Sequence, residues 1–203
     1  MPRAAKPIPP ALEVCILAGG GSVRMGRDKA SVRLGRRTLL GHARAAARAL
    51  GLPIRVIRRD LVPRCGPIGG VFTALVTTRA AAVIFLSCDM PLVTPALLGR
   101  LISTAQMELE APDARAVFTT SSEGAGFPFL IRRALRPQVE RQIERGRFSL
   151  QKLARALRAR RVRPTHAQSA QLANLNTPAE LAAVRLRLAA GRRQPQSLSQ
   201  KAR

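Results

Sequence analysis

A run of six residues, Ala82–Ser87 (AVIFLS), constrains the fold more than any other segment of the chain. Its first five side chains are all apolar, so a β-strand formed by it would bury both of its faces. That environment exists only in a sheet that other elements cover on both sides. The run therefore predicts a central strand of a layered α/β domain.

The other predicted elements support the same architecture. The chain alternates between short apolar runs, which favour strands, and segments rich in Ala, Leu and Arg, which favour helices. Such alternation predicts an α/β domain with a mostly parallel sheet. Further strands are predicted at 12–18, 54–57, 114–120 and 127–131, and helices at 37–50, 68–77, from Thr94, at 132–145 and 149–160, and from Thr177.

The length of 203 residues suits one compact domain, which we place at residues 12–190. We expect residues 1–11 to be flexible. We expect 191–203 to be a disordered basic tail, because it combines Gln, Ser, Pro and Arg without apolar periodicity. There is no apolar run of about 20 residues and no signal-peptide pattern at the start. These features predict a cytoplasmic protein with no membrane partner.

The formal net charge of +24 is the dominant feature of the composition. It favours either nucleic-acid binding or a positive field that attracts anionic substrates. Trp and Tyr are absent and the basic residues are spread along the chain, so no stacking surface for bases is evident. The anionic substrate is therefore the preferred interpretation. The three cysteines are scattered singly, which indicates neither a zinc site nor a nucleophile.

A glycine-rich segment follows the first predicted strand and reads LAGGGSVRMGRDK from Leu17 to Lys29. Its glycines let the backbone approach a ligand and direct N–H groups towards it. Arg24 and Lys29 add positive charge suited to a triphosphate. The segment is not a P-loop, whose Lys follows its last Gly directly, and the dinucleotide-binding fingerprint fails at Arg24.

Three predicted loops should meet at one rim of the sheet, because ligand-binding loops of α/β sheets leave the carboxyl ends of the strands. They are residues 19–29, 60–70 and 87–91. The rim is therefore the expected ligand site.

Four motifs together resemble the molybdenum cofactor guanylyltransferase family. They are LAGGGSVRMGRDK at 17–29, GPIGG at 66–70, CDMP at 88–91 and NLNTPAE at 174–180. The resemblance implies a single three-layer, Rossmann-like nucleotidyltransferase domain. It also implies transfer of GMP from GTP to the terminal phosphate of molybdopterin (the molybdenum cofactor), with Mg²⁺ as cofactor. Molybdoenzymes or their chaperones would be further partners.

The resemblance also implies roles for individual residues, and some have simpler structural interpretations. Asp89 would bind Mg²⁺, which takes oxygen ligands and keeps several waters, so one carboxylate can suffice. Asp89 also fits a turn or helix-capping residue, and Asp60 fits an ordinary turn. The implied nucleotide-binding residues are Leu17, Ala18, Gly19, Gly20, Lys29, Asp60 and Asp89, with Lys29, Arg24 and Asp89 acting in catalysis.

The acceptor side is implied at Asn174 and Asn176 and at the Gly126-Phe127-Pro128 segment. We expect the two asparagines to alternate along a short strand and face the same side, although turn-forming and helix-entry roles fit equally. A phosphate nucleophile is already ionised at neutral pH, so no protein general base is expected.

The chain departs from the family between Gly41 and Asp60, where it is shorter than usual. Either one edge strand is lost or the chain belongs to a compact subgroup. Other functions left open are the cytidylyltransferase of the same cofactor, an enzyme that activates a sugar phosphate, and a basic binding module that retains the fold.

Overall fold

The computed structural model describes residues 11–19, 28–109 and 116–191. The strands are β1 Leu12–Leu17, β2 Arg33–Leu34, β3 Arg37–Thr38, β4 Ile54–Ile57, β5 Ala82–Ser87, β6 Ala116–Ser121, β7 Gly124–Arg132 and β8 Arg160–Val162. The helices are α1 Leu39–Arg48, α2 Pro67–Thr77, α3 Pro95–Leu109, α4 Arg136–Glu144, α5 Leu150–Ala156, α6 His166–Ser169 and α7 Pro178–Gly191. Short 3₁₀ turns occupy Lys29–Ser31, Arg133–Leu135 and Ala170–Leu172.

Six strands form one sheet in the order β4-β1-β5-β7-β6-β8. Strand β1 is parallel to both β4 and β5, and β6 is parallel to β8. Strand β7 is antiparallel to both of its neighbours. The predicted α/β fold with a mostly parallel sheet is therefore confirmed.

Strand β5 lies in the middle of three layers, as its sequence requires. Ile84 and Leu86 face a core built with α1 and α3, whereas Val83 and Phe85 face a core built with α2, α4 and α5. The ring of Phe129 stacks on those of Phe85 and Phe118, with centroids 4.9 and 4.4 Å apart. Burial of side chains on both faces is the main stabilising contribution of such a strand.

Several predicted boundaries are wrong. Strand β7 begins at Gly124 rather than at 127, and the helix predicted from 132 begins at Arg136, after a 3₁₀ turn. The helix predicted at 37–50 begins at Leu39, because residues 33–38 form the hairpin β2–β3 around a turn at Gly35, whose φ is 61°. Thr38 then caps α1 by accepting a hydrogen bond from the Gly41 amide.

The helix predicted at 149–160 ends at Ala156. Arg158 has a φ of 48°, which stops the helix, and residues 160–162 pair with β6 as the edge strand β8. Strand pairing thus prevails over the helical propensity of this Arg- and Ala-rich sequence.

The sequence predicts that the domain ends at residue 190 and that both chain termini are flexible. Helix α7 extends through Gly191, one residue beyond the predicted end of the domain. Residues 1–10 and 192–203, with the flexibility predicted for them, lie outside the described residues. Within the described residues, every helix is too short or too polar to cross a membrane.

Candidate active site

The carboxyl ends of β1, β4 and β5 border a cavity of about 570 Å³. It brings together described residues from each of the three loops that the sequence predicts at one rim, Gly19 being the residue from the first loop, as well as the asparagine segment near the C-terminus. Residues from the predicted motifs that line it are Leu17, Gly19, Asp60, Gly66, Pro67, Gly70, Asp89, Phe127, Asn174 and Asn176. This cavity is the candidate active site.

Asp89 is held rigidly at the end of β5. The Ser87 hydroxyl donates a hydrogen bond of 2.6 Å to Oδ1 of Asp89, and the Leu175 amide donates one of 2.8 Å to its backbone oxygen. The Cys88 amide donates to the Leu17 carbonyl, which continues the β1–β5 pairing into the loop. The carboxylate is about one-fifth exposed and lines the cavity. Asp89 is therefore positioned to contact a ligand.

Lys29 joins two of the motifs through its ammonium group. Its Nζ lies 2.5 Å from Oδ1 of Asn176 and 3.6 Å from Oδ2 of Asp89. The backbone there is fixed by a 3₁₀ turn, which Asp28 caps by accepting a hydrogen bond from the Ala30 amide. The glycine-rich, aspartate and asparagine motifs therefore converge on one charged group.

The asparagine segment adopts a different backbone structure from the one predicted. Residues 173–176 form an irregular loop rather than a strand, although Asn174 and Asn176 do line the same cavity as expected. The loop is held by the start of α7, where Glu180 accepts hydrogen bonds from the amides of Asn176 (2.6 Å) and Thr177 (2.9 Å). The hydrogen bond from the Asn176 amide is the main cause that lowers the pKa of Glu180, and the bond from the Thr177 amide lowers it further. The helix cap thereby fixes Asn176.

Asp60 lies beside the first turn of α2. A Cβ atom on Gly69 would lie 3.0 Å from Oδ2 of Asp60 and 2.8 Å from the Val62 carbonyl oxygen. Gly69 and Gly70 of the GPIGG motif therefore let this loop pack closely on the helix. Burial raises the pKa of the Asp60 carboxyl. Asp60 and Asp89 line one cavity, as the sequence predicts.

Gly19 permits close approach between the ends of β1 and β4. A Cβ atom there would lie 2.8 Å from the carbonyl oxygen of Arg58, and the Ala18 amide donates to the Ile57 carbonyl nearby. Gly19 and Leu17 line the cavity, and their nucleotide-binding role stays a prediction. Gly20 and Arg24 lie outside the described residues, so their predicted roles stay predictions.

Two polar lining residues were not named individually by the sequence interpretation. Ser87 is the last residue of the central strand, and Arg64 has a φ of 62° in the loop between β4 and α2. A hydroxyl at the carboxyl end of a buried strand was the available signal for Ser87. Arg64 gave no signal, because it is one of many arginines in this chain.

The cysteines make no contribution to the candidate chemistry. Burial raises the pKa of Cys88 to about 11 and that of Cys15 to about 12, so both remain protonated thiols near neutral pH. Both side chains belong to the packed cores on either side of the sheet.

Solved structures share this fold. One is molybdopterin-guanine dinucleotide biosynthesis protein A from Archaeoglobus fulgidus (19% identity, TM-score 0.65, 88% of this chain and 99% of that one covered). Another is 2-C-methyl-D-erythritol 4-phosphate cytidylyltransferase from Thermus thermophilus (17% identity, TM-score 0.63, 88% and 98% covered). The fold is that of nucleotidyltransferases.

The family follows from sequence comparison. Residues 14–63 and 47–165 match the MobA-like NTP transferase domain, and the chain belongs to this family of nucleotidyltransferases. The molybdenum cofactor guanylyltransferase of Xanthomonas euvesicatoria pv. vesicatoria (strain 85-10) is 31% identical over 173 residues, covering 80% of this chain and 88% of the relative. The probable molybdenum cofactor guanylyltransferase of Flavobacterium johnsoniae is 26% identical over 183 residues, covering 84% and 94%. The family resemblance inferred from the motifs is thus confirmed.

Proposed function

We propose that this nucleotidyltransferase transfers GMP from GTP to the terminal phosphate of the molybdopterin (molybdenum) cofactor. The products are molybdopterin guanine dinucleotide and pyrophosphate. The observation that carries the proposal is the contact of Lys29 with both Asn176 and Asp89, two residues that line one cavity at the strand ends. The names of the curated relatives supply the nucleotide and the acceptor.

The reaction forms one bond and breaks another at the α-phosphorus of GTP. An oxygen of the acceptor phosphate attacks this phosphorus, and the bond to the bridging oxygen of pyrophosphate breaks. The attacking oxygen is already anionic, so the protein need not remove a proton from it. The two histidines agree with this: Nε2 of His42 contacts the Leu34 carbonyl, His166 begins α6, and neither lines the cavity.

Charge neutralisation and positioning are the contributions that we assign to the protein. Lys29 presents its ammonium group to the phosphates while Asn176 and Asp89 fix its position. Arg24 would add a second positive charge to the same loop. The surplus of basic residues makes the approach of two polyanionic substrates favourable.

The residues at the end of β5 fit a magnesium ion. Asp89 and Ser87 offer oxygen donors at the cavity, with the Asp60 carboxylate lining it as well, and Mg²⁺ prefers oxygen ligands. The described residues contain no cluster of three or more His, Cys, Asp or Glu side chains. Asp89 would therefore be the principal protein ligand. When bound, Mg²⁺ would neutralise part of the negative charge of the phosphates.

The cytidylyltransferase of the same cofactor is the second candidate, because the roles proposed for Lys29 and Asp89 involve only the phosphates and the metal ion, which GTP and CTP share. Guanine is favoured by the names of the curated relatives. Its N1–H and N2–H₂ donors would require carbonyl acceptors, which we assign to the backbone of the Leu17–Gly19 segment. A site that satisfies such donors rejects a base that lacks them, because its carbonyls would be left unpaired.

Product identification tests the proposal. The protein is incubated with Mg²⁺, molybdenum cofactor and one nucleoside triphosphate at a time, and the dinucleotide product is identified by mass. We expect the guanine dinucleotide with GTP. A product that retains the triphosphate, or a product from ATP alone, would contradict the proposal.

A further inference from the structure

A second cavity, of about 590 Å³, lies between β8 and the turn that joins β6 to β7. Two arginines and several hydroxyl side chains line it. None of its lining residues is acidic. The polar side chains concerned are Thr120, Ser121, Ser122, Arg161, Arg163 and Ser169.

Arg161 and Arg163 lie on the same side of their segment. They flank Val162, which is buried in the core, and alternate residues of an extended chain project in the same direction. Elsewhere in the described chain, arginines near acids are paired, as Arg55 is with Glu13 at 2.6 Å. Among the described residues, neither guanidinium of the Arg161–Arg163 pair has a hydrogen bond or an ion pair. Two neighbouring positive charges therefore face this cavity without a counter-charge.

The hydroxyl groups of the turn complement the arginines as donors. Oγ of Ser121 accepts a hydrogen bond from the Glu123 amide, so its own proton remains available for a ligand. Glu123 itself lines a different, smaller cavity. Guanidinium groups bind oxyanions through paired N–H donors, and hydroxyls extend the same network.

From this arrangement we infer that the Arg161–Arg163 cavity is an oxyanion-binding site that takes a phosphate or a phosphate ester. Phosphate binding at this site does not depend on the proposed guanylyl transfer. The Arg161–Arg163 cavity is separate from the nucleotide cavity. A smaller cavity, of about 160 Å³, lies between the two. The smaller cavity shares Ser121 with the arginine cavity and Asn174 with the nucleotide cavity.

The intermediate cavity is bordered by one buried threonine. Thr119 is only 1% exposed, and its hydroxyl oxygen has no hydrogen-bond partner among the described residues. The hydroxyl oxygen is enclosed by protein atoms, so ligand contacts in this cavity would come from the other residues that line it. The bound oxyanion is thus either a group on a molecule that extends along these cavities or a free anion.

Nuclear magnetic resonance locates the site directly, with inorganic phosphate as the probe at constant ionic strength. We expect saturable shifts in the amide signals of Ser121, Ser122 and Arg163. The double variant Arg161→Gln/Arg163→Gln should weaken phosphate binding at these signals about tenfold, as expected for lost charged hydrogen bonds. The control Arg44→Gln/Arg48→Gln removes the same charge from the exposed face of α1 and should leave it unchanged.

Three results would overturn the inference: unsaturable shifts, shifts confined to residues of the nucleotide cavity, or an equal loss of binding in the control variant. GTP affinity is measured in parallel by calorimetry. It should be the same in both double variants, so failure of the oxyanion site is distinguishable from failure of the proposed function.

Steady-state kinetics separates the two sources of the anion. If the oxyanion is part of the acceptor, the Arg161→Gln/Arg163→Gln variant has a raised KM for the acceptor and phosphate competes with the acceptor. If it is a free anion, the KM is unchanged and phosphate still binds when the acceptor is saturating. Either pattern supports the site.

Discussion

The ammonium group of Lys29 donates a hydrogen bond of 2.5 Å to the side-chain oxygen of Asn176, 147 residues further along the chain. The same ammonium nitrogen lies 3.6 Å from the Asp89 carboxylate. The loop after β1, the loop after β5 and the entry to α7 are thereby joined at one point. Perturbation of any of these three side chains should affect the same function.

Substitution of Lys29 by alanine should slow nucleotidyl transfer by about 10²- to 10³-fold, the effect typical of removing one group that stabilises transition-state charge. GTP binding should weaken as well. Turnover and calorimetric binding measure these effects. Lys152→Ala is the matched control, because it removes an exposed lysine on α5. Equal rates in the two variants would show that Lys29 only shapes the loop.

Asp89→Asn should leave the fold intact and remove most turnover. A neutral amide is a poor magnesium ligand, yet it retains the shape of the side chain and can still contact the Ser87 hydroxyl. Turnover is measured over a range of Mg²⁺ concentrations, beside a thermal melt. Rates near those of the wild type at every Mg²⁺ concentration would refute the metal assignment.

Glu180→Gln should reduce turnover by loosening Asn176, and it should also change the pH dependence of stability. The folded-state pKa of Glu180 is lowered by the amides of Asn176 and Thr177. Its contribution to stability is therefore present above the unfolded-state pKa and is lost as the pH falls through the folded-state pKa.

The difference in Tm between wild type and Glu180→Gln checks this prediction. The difference should be largest near neutral pH and should shrink as the pH falls below about 4.3, the ordinary pKa of glutamate. A difference that does not vary with pH would indicate that the carboxylate charge has no part in holding the loop.

Gly19→Ala should destabilise the protein by about 1–3 kcal/mol, because the added methyl group would overlap the carbonyl oxygen of Arg58. Transfer should fall as the end of β1 shifts. Gly99→Ala in α3 is the control, since its Cβ would meet open space and alanine favours helix by about 1 kcal/mol. If both variants had the same stability, the close contact at Gly19 would not matter.

The parallel part of the sheet could be predicted from the sequence, and the irregular part could not. Strands β4 and β5 have the predicted bounds, because each is a short apolar run between turn residues. Strand β8 was missed because Arg160 continues a pattern that favours helix, and only pairing with β6 makes it a strand. The β2–β3 hairpin has two-residue strands, which are too short for any periodicity.

For the site, sequence reasoning placed three loops at one rim because parallel strands end at the same edge. It did not predict that Asn176 contacts Lys29, since that contact depends on how α7 returns to the sheet. Only the family resemblance implied that Lys29 and Asn176 belong to one site. The interpretation of residues 174–176 as a strand failed because the hydrogen bonds at the start of α7 and at Asp89 determine the backbone there.

Competition between GTP and CTP shows which base the protein transfers. The wild-type protein is supplied with equal concentrations of GTP and CTP, together with Mg²⁺ and molybdenum cofactor, and the two dinucleotide products are quantified. Molybdopterin guanine dinucleotide should predominate, and Lys29→Ala should suppress its formation. A product that is mostly the cytosine dinucleotide would contradict the account.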